Sequence, residues 1–346
     1  MALASDTPLL VGVDGGATEV KAHAVVEVAG GFAVGTARAG FRHEPVPGFA
    51  PADLARQIDE FERGAVRCTA LEEAQAAGWI DSFAAAIASV AARVGCAHVV
   101  VGVCAPGLKS RDGRSIIAAK NGPRVLAFVD RLEARLAREG LVLARPIPPL
   151  LGDGLACGLG EDVSPDGGFR SVQSAYFAGG GTGVAECFKL DGRVRAMDGL
   201  ADASRKAWQL ESSLGKRYEE HLSVRGLNAR FRELGGPPDV LPEIAAAGGD
   251  QAALRVFAEC ADMLGELARL RIEEVRVAHG IALERIVVGQ RLAQLYSHPA
   301  LCEVFRARAE AAVPIPIHAS TLRAAPAIGA AHAALTGPRK ETEHAG

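Results

Sequence analysis

The chain has 346 residues, of which 49% are hydrophobic and only 5% aromatic, so its cores must be built mainly from Ala, Val and Leu. This length exceeds what one core ordinarily serves and predicts two domains. A formal net charge of -3, without a basic stripe, argues against nucleic acid as the main partner. We find no signal peptide and no apolar run long enough to span a bilayer, so no membrane partner is expected. Seven scattered cysteines without a C-x-x-C pair are typical of reduced thiols in a cytoplasmic protein.

The chain opens with an apolar run over residues 9–13, which predicts a first strand and ends at Asp14, Gly15 and Gly16. Paired glycines let the backbone turn sharply and bring its N–H groups close to an anion. A carboxylate at the strand's end could hold a hydrated Mg²⁺ that nucleotide phosphates also bind. Thr18 and Lys21 add a hydroxyl and a positive charge. A second strand over residues 20–28 completes a strand–turn–strand unit, for which a plain surface hairpin is the alternative interpretation.

Alternating helix and strand patterns fill the rest of the first half. The sequence predicts strands joined at residues 30–31, a helix from residue 51 to about 67, a helix over 80–94, a strand over 98–104, a loop or short strand pair over 110–121, and a helix from 125 to 140. We assign residues 1–122 to an N-terminal α/β domain.

The second half begins with a new strand–turn–helix unit. A short strand over 149–151 is followed by Gly152, Asp153 and Gly154 and then by helical sequence. Further along, the predicted elements are a strand over 174–178, a glycine turn over 179–183, a strand with an Asp-Gly hairpin over 184–194, helices over 204–234 and 250–279, strands over 285–290 and 315–318, and a helix over 325–335. We assign 123–336 to a C-terminal domain, whose final helix could pack back on the first domain, and 337–346 to a disordered tail.

The glycine turns exclude several familiar nucleotide and hydrolase sites. A Rossmann fingerprint needs a helix after its glycines, whereas Gly181-Thr182-Gly183 precedes alternating strand sequence. The pair Gly215-Lys216 is followed by Arg217, so it is not a Walker A loop, and no Gly-x-Ser-x-Gly elbow occurs. Two strand–glycine turn–strand units could instead clamp the phosphates of one nucleotide, which favours phosphoryl transfer.

Taken in order, these motifs resemble the actin/hexokinase/Hsp70 superfamily of ATPases, and within it the ROK family of sugar kinases and repressors. The matching segments are Asp14-Gly15-Gly16-Ala17-Thr18, Ala105-Pro106-Gly107 with Asn121-Gly122, Leu151-Gly152-Asp153-Gly154-Leu155-Ala156 with Gly160-Glu161, Gly180-Gly181-Thr182-Gly183, Val288-Gly289, and Ile328-Gly329-Ala330-Ala331. The resemblance implies a two-domain α/β actin-like ATPase (ribonuclease H-like) fold with a nucleotide cleft between its domains.

It also implies the site and its cofactors, ATP and Mg²⁺. Asp153 would be the catalytic base, and Asp14 would hold the metal through water. The implied ATP and phosphate ligands are Asp14, Gly15, Gly16, Thr18, Lys21, Gly180, Gly181, Thr182, Gly183, Gly289 and Gln290. The implied substrate ligands are Asn121, Gly122, Asp153 and Glu211.

The chain also departs from the family pattern, chiefly at the acceptor side. It has no cysteine between Cys187 and Cys260, so we expect no structural zinc, and residues 202–211 contain no histidine. Glu211 matches a sugar-contacting glutamate or is a solvated helix residue, and Gln290 replaces a glycine. We therefore predict an ATP-dependent kinase acting on a hydroxyl of a hexose, an amino sugar or a cyclitol. The alternative is a non-catalytic sugar- or nucleotide-binding regulator, and a homodimer is compatible with either.

Overall fold

The computed structural model describes residues 7–197 and 205–337, which form two compact units. One unit comprises Met1–Pro165 with Ala324–Gly346, and the other comprises Asp166–Arg323. This division differs from the predicted one after residue 122, because residues 123–165 complete the first unit. The tail predicted from residue 337 lies, apart from Gly337, outside the described residues.

The first unit is built on a five-stranded sheet in the order β3-β2-β1-β4-β7. Its elements are β1 (Leu9–Gly15), β2 (Glu19–Val28), β3 (Gly31–Arg42), α1 (Leu54–Glu62), α2 (Ala70–Val94), β4 (His98–Cys104), β5 (Leu108–Lys109), β6 (Ile116–Ala118), α3 (Phe128–Arg138), β7 (Val142–Leu143) and α4 (Asp153–Val163). Strands β1 and β4 run parallel and are almost fully buried, as their uninterrupted apolar runs predict. Strand β7 pairs in parallel with the start of β4, and for this reason the segment after residue 122 belongs to this unit.

Helix boundaries in the first unit differ from the sequence prediction. Helix α1 ends at Glu62, several residues before the predicted end. Helix α2 begins at Ala70, ten residues before the predicted start, and Thr69 caps it by accepting the N–H of Glu72. The Thr-x-x-Glu spacing at 69–72 is a helix-start signal that the apolar stripe alone does not show.

The second unit contains another five-stranded sheet, in the order β10-β9-β8-β11-β12. Its elements are β8 (Ala175–Gly180), β9 (Val184–Leu190), β10 (Arg193–Ala196), α5 (Tyr218–Leu222), α6 (Val224–Glu233), α7 (Pro242–Ala247), α8 (Gln251–His279), β11 (Arg285–Gly289), α9 (Gln290–Tyr296), a 3-10 turn (Pro299–Leu301), a π-helical turn (Cys302–Ala307), α10 (Arg308–Ala312) and β12 (Ile317–Ala319). Strands β8, β11 and β12 are mutually parallel, while β9 and β10 extend the sheet as antiparallel hairpins.

The helix predicted over 204–234 is wrong in its first half. Residues 205–217 form turns, because Glu266 on α8 accepts hydrogen bonds from the Ser213 backbone N–H at 2.9 Å and the Tyr218 hydroxyl at 2.6 Å. Gly215 also has a positive φ of 74°, which interrupts a helix. Residue 204, the first of the predicted helix, lies outside the described residues.

The chain returns to the first unit through its last helix, α11 (Ala325–Thr336). This helix packs closely on β1 and β4, because glycines in those strands leave room for its backbone. A Cβ atom at Gly12 would lie 1.9 Å from the Ala327 carbonyl oxygen, and one at Gly102 would lie 1.9 Å from that of Ala330. The sheet is thus covered by α2 on one face and by α11 on the other.

Helix α2 bears on the expectation that no segment could span a membrane. By length and composition alone, α2 is long and apolar enough to cross a membrane, which the apolar runs of the sequence did not predict. Half of its most apolar window is buried within the protein, and Trp79, Phe83 and Ile87 are core residues. This is also the pattern of a core helix.

Candidate active site

Two carboxylates lie at one edge of the first unit's sheet, where its parallel strands end. Asp14 near the end of β1 is in register with Cys104 at the end of β4. Cys104 in turn forms a parallel bridge with Leu151, and the Ala105 N–H donates to the Leu151 carbonyl at 3.1 Å. Helix α4 begins two residues later, at Asp153. Because these carboxyl ends meet at one edge, Asp14 and Asp153 are neighbours.

Asp14 lies close enough to Asp153 for the charge of Asp153 to affect the pKa of Asp14. Burial, reinforced by the negative charge of Asp153, raises the pKa of Asp14 to about 6. Lys21 opposes the rise, and the Cys104 thiol donates to Asp14 Oδ1 over 3.8 Å. Burial and the adjacent carboxylates raise the pKa of the Cys104 thiol, so it stays protonated. A half-buried carboxylate pair of this kind fits a divalent cation, whose charge would relieve the repulsion.

Asp153 lies at the start of helix α4. Gly152 occupies the N-cap position of α4 and Asp153 is the first helical residue. Asp153 Oδ1 accepts the N–H of its neighbour Gly154 at 2.9 Å, not an N–H one turn further on as a cap would. The Asp153 side chain therefore does not cap α4.

The first glycine turn connects β1 to β2 as a tight hairpin. The Gly16 N–H donates to the Glu19 carbonyl at 2.8 Å, and a Cβ atom at Gly15 would lie 2.3 Å from the Phe83 ring. Thr18 is exposed at the tip. Lys21 pairs in register with Asp14, and its exposed Nζ lies 3.4 Å from Glu19 Oε2. The structure thus brings these predicted phosphate ligands to the same edge as Asp14.

The predicted acceptor loop also belongs to the first unit. Asn121 is exposed and Gly122 is buried. A Cβ atom at Gly122 would lie 2.4 Å from the Trp79 ring on α2, so glycine is needed for this close approach.

The second glycine turn joins β8 to β9 in the second unit. The Gly181 N–H donates to the Gly183 carbonyl at 2.8 Å, and the Val224 N–H donates to the Gly181 carbonyl at 3.0 Å. These bonds close a compact hairpin with Thr182 exposed at its tip. The backbone of a hairpin built from small residues can approach a phosphate closely.

The turn after β11 lies beside this hairpin. Gly180 and Gln290 form a parallel bridge, and a Cβ atom at Gly181 would lie 3.0 Å from Gln290 Oε1. Gln290 has a positive φ of 54°, which a glycine would adopt more easily. At Gly289 a Cβ atom would lie 2.3 Å from the Phe177 ring. All the ATP ligands predicted in this half of the chain are therefore adjacent.

Glu211 lies in the turn segment before α5. It is exposed in the turn segment, and its backbone pairs with Arg217 in an antiparallel bridge. Its predicted contact with an acceptor stays a prediction.

Two residues near the glycine turns, Glu219 and His43, were not identified from the sequence. Glu219 is buried, accepts the Val184 N–H at 3.3 Å and would lie 2.7 Å from a Cβ atom at Gly183. His43 donates to the Gly16 carbonyl at 3.0 Å and stacks on Trp79. No local motif marks them; only the fold brings them to the turns. Across residues 7–197 and 205–337 the structure contains no group of three His, Cys, Asp or Glu side chains arranged to hold a metal ion.

Comparisons with known proteins show what fold this is. No family model and no curated protein matches the chain. Solved structures do: a ROK family glucokinase from Streptomyces griseus, in complex with glucose and AMPPNP, is 18% identical with a TM-score of 0.66, over 95% of this chain and 100% of that one. The ROK hexokinase from Thermus thermophilus is 21% identical with a TM-score of 0.54, over 93% and 96%.

A protein described as a regulator also matches. A ROK family transcriptional regulator, a homologue of the E. coli MLC protein, is 16% identical with a TM-score of 0.55, over 96% of this chain and 79% of that one. At such identities the likeness establishes fold and not activity. The chain therefore has the α/β actin-like ATPase fold, in the form that ROK family sugar kinases adopt.

Proposed function

We propose that the protein is an ATP-dependent kinase that phosphorylates a hydroxyl group of a sugar or a sugar-like polyol. The observation that carries this proposal is the meeting of Asp14 and Asp153 at the carboxyl edge of β1 and β4, beside a glycine hairpin. Phosphoryl transfer needs a cation near the phosphates, backbone groups that position them, and a base for the acceptor hydroxyl. This edge offers residues for each.

In this proposal Asp153 accepts the proton of the acceptor hydroxyl as its oxygen attacks the terminal phosphorus of ATP. The oxygen–phosphorus bond to ADP breaks as the new one forms, and ADP leaves. Asp153 suits the role because its carboxylate is half-buried and accepts a local bond from the Gly154 N–H. Asp14 would face the cation that accompanies ATP, which supplies charge neutralisation at the phosphates.

We propose the residues of the two glycine hairpins as phosphate ligands. In the first unit these are Gly15, Gly16, Thr18 and Lys21; in the second they are Gly180, Gly181, Thr182 and Gly183, with Gly289 and Gln290 nearer the adenosine. We propose Asn121, Gly122 and Glu211 as acceptor contacts. With no cysteine cluster between Cys187 and Cys260, we infer that the acceptor side is shaped without zinc, so a cyclitol is as suitable an acceptor as a hexose.

The test is ADP release from Mg²⁺-ATP in the presence of a panel of hexoses, amino sugars and cyclitols. We expect one class to stimulate ADP release, with no such stimulation in Asp153→Asn. Asp162→Asn on the same helix is the matched control, because it removes a carboxylate away from this edge. If an acceptor stimulates ADP release equally in the parent and in Asp153→Asn, the assignment of Asp153 as the base is overturned.

A second function, a non-catalytic sugar- or nucleotide-binding regulator, is favoured by the likeness to the ROK transcriptional regulator. The presence of Asp153 at a site suited to a base argues for catalysis. Ligand binding without any ATP turnover, over the whole acceptor panel, would favour the regulator. The scattered cysteines, with no C-x-x-C pair among them, suit a cytoplasmic protein in either case.

A further inference from the structure

His43, in the loop after β3, holds the first glycine hairpin at two points. Its Nε2 donates to the Gly16 carbonyl at 3.0 Å, and its backbone N–H donates to the Thr18 carbonyl at 3.0 Å. Since the partner of Nε2 is a carbonyl oxygen, Nε2 carries the proton and Nδ1 does not. Burial lowers the pKa of His43, so the ring stays neutral at physiological pH. Two bonds thus fix the turn that we propose as a phosphate site.

The imidazole ring of His43 rests on helix α2. It stacks on Trp79 with ring centroids 4.5 Å apart and an interplanar angle of 18°, and it lies 6.0 Å from Phe83. Trp79 and Phe83 are four residues apart and therefore on the same face of the helix. Gln75, one turn earlier on that face, accepts the Val46 N–H at 2.7 Å, which fixes the His43 loop to the same helix.

The same helix face also contacts the proposed acceptor loop. The Trp79 ring would lie 2.4 Å from a Cβ atom at Gly122, and the Phe83 ring 2.3 Å from one at Gly15. Trp79 is 2% exposed, so its position is fixed by packing. One rigid face of α2 is therefore in contact with the acceptor loop, with His43 and with the phosphate hairpin.

We propose that His43 and Trp79 are positioning residues that set the phosphate hairpin at Gly16 relative to the acceptor loop at Gly122. This inference rests on the proposed kinase function. The His43 bond fixes the Gly16 carbonyl and, in the same peptide plane, the Ala17 N–H, which this proposal assigns to the phosphates. The stack on Trp79 keeps that bond aligned.

The test uses Trp79 as its own reporter. The chain has two tryptophans, so Trp208→Phe leaves Trp79 as the single emitter. In that background we would measure binding of Mg²⁺-AMPPNP by calorimetry and by the change in Trp79 fluorescence. The variants are His43→Phe, which keeps a stacking ring but loses the N–H donor, and His43→Gln, which keeps a donor but loses the stack. The control is His98→Gln, at an exposed position.

We expect His43→Phe to weaken AMPPNP binding about three- to tenfold, the effect of one neutral hydrogen bond, and to reduce the nucleotide-dependent fluorescence change. His43→Gln should bind more tightly than His43→Phe, and His98→Gln should match the parent. If the parent binds AMPPNP and His43→Phe binds it with the same affinity and the same fluorescence change, the positioning role is overturned while the proposed function stands. If the parent itself binds no AMPPNP, the proposed function and this inference both fail.

Discussion

The substitution Asp14→Asn tests quantitatively how the raised pKa of Asp14 affects the stability of the protein. The raised pKa means that the ionised carboxylate is disfavoured in the folded protein. Below the unfolded value of 3.8 the group is protonated in both states, and above about 6 it is ionised in both. The parent protein should therefore lose stability as the pH rises from about 4 to about 6.

The magnitude follows from the size of the shift. A rise from 3.8 to about 6 corresponds to about 3 kcal/mol, and because Asp14 is half-buried we expect about 1–3 kcal/mol of destabilisation at pH 8. Asparagine keeps the shape and an oxygen that accepts from Cys104 but removes the charge. Without ligand, Asp14→Asn should be more stable than the parent at pH 8, by a margin that shrinks as the pH falls from about 6 toward 4.5.

The assay is the melting temperature of both proteins between pH 4.5 and 8, with and without Mg²⁺-AMPPNP. The variant should melt higher than the parent at pH 8 without nucleotide, and it should bind Mg²⁺-AMPPNP about tenfold more weakly or worse, because it lacks the anionic partner of the cation. A variant that is no more stable than the parent at pH 8 would refute the claim that burial and the charge of Asp153 destabilise the ionised Asp14 carboxylate. If Asp14→Asn is more stable than the parent but binds Mg²⁺-AMPPNP equally tightly, the role of Asp14 as the anionic partner of the cation is refuted.

Three further predictions test the hairpin, the metal content and the packing. Gly181→Val should abolish ATP binding without unfolding the protein, because the added carbons fill the space in front of the hairpin next to Gln290; a folded variant with parental affinity would remove the hairpin from the site. Purified protein should hold no stoichiometric zinc by elemental analysis and should need only added Mg²⁺, so one tightly bound zinc per chain would contradict us. Gly102→Ala should destabilise by about 1–3 kcal/mol or more, since its Cβ would lie 1.9 Å from the Ala330 carbonyl oxygen, whereas Gly78→Ala, which meets nothing within 4 Å, should stabilise by about 0.5–1 kcal/mol in calorimetry.

The parts of the fold that were predictable are those set by short-range pattern. The apolar runs at β1, β4 and β11 gave parallel strands because nothing polar interrupts them. The meeting of Asp14 with Asp153 then follows from the geometry of parallel strands, whose carboxyl ends share an edge.

Long-range contacts account for what was not predictable. The turns at 205–217 depend on Glu266, about fifty residues away in the chain, and a local helical pattern cannot show such a partner. The division into units was misplaced because β7 is only two residues long and pairs with a strand forty residues earlier. His43 likewise has no motif, and its role depends on a ring stack with Trp79.

The central claim is transfer of a phosphoryl group from ATP to a polyol hydroxyl with Asp153 as the base. The most direct measurement is mass spectrometry of the acceptor after incubation with Mg²⁺-ATP and either the parent or Asp153→Asn. We predict a singly phosphorylated acceptor with the parent, and turnover lower by ~10²–10⁴ in the variant, which should still fold and bind nucleotide. ADP formation without a phosphorylated acceptor, or equal product from both proteins, would contradict the claim.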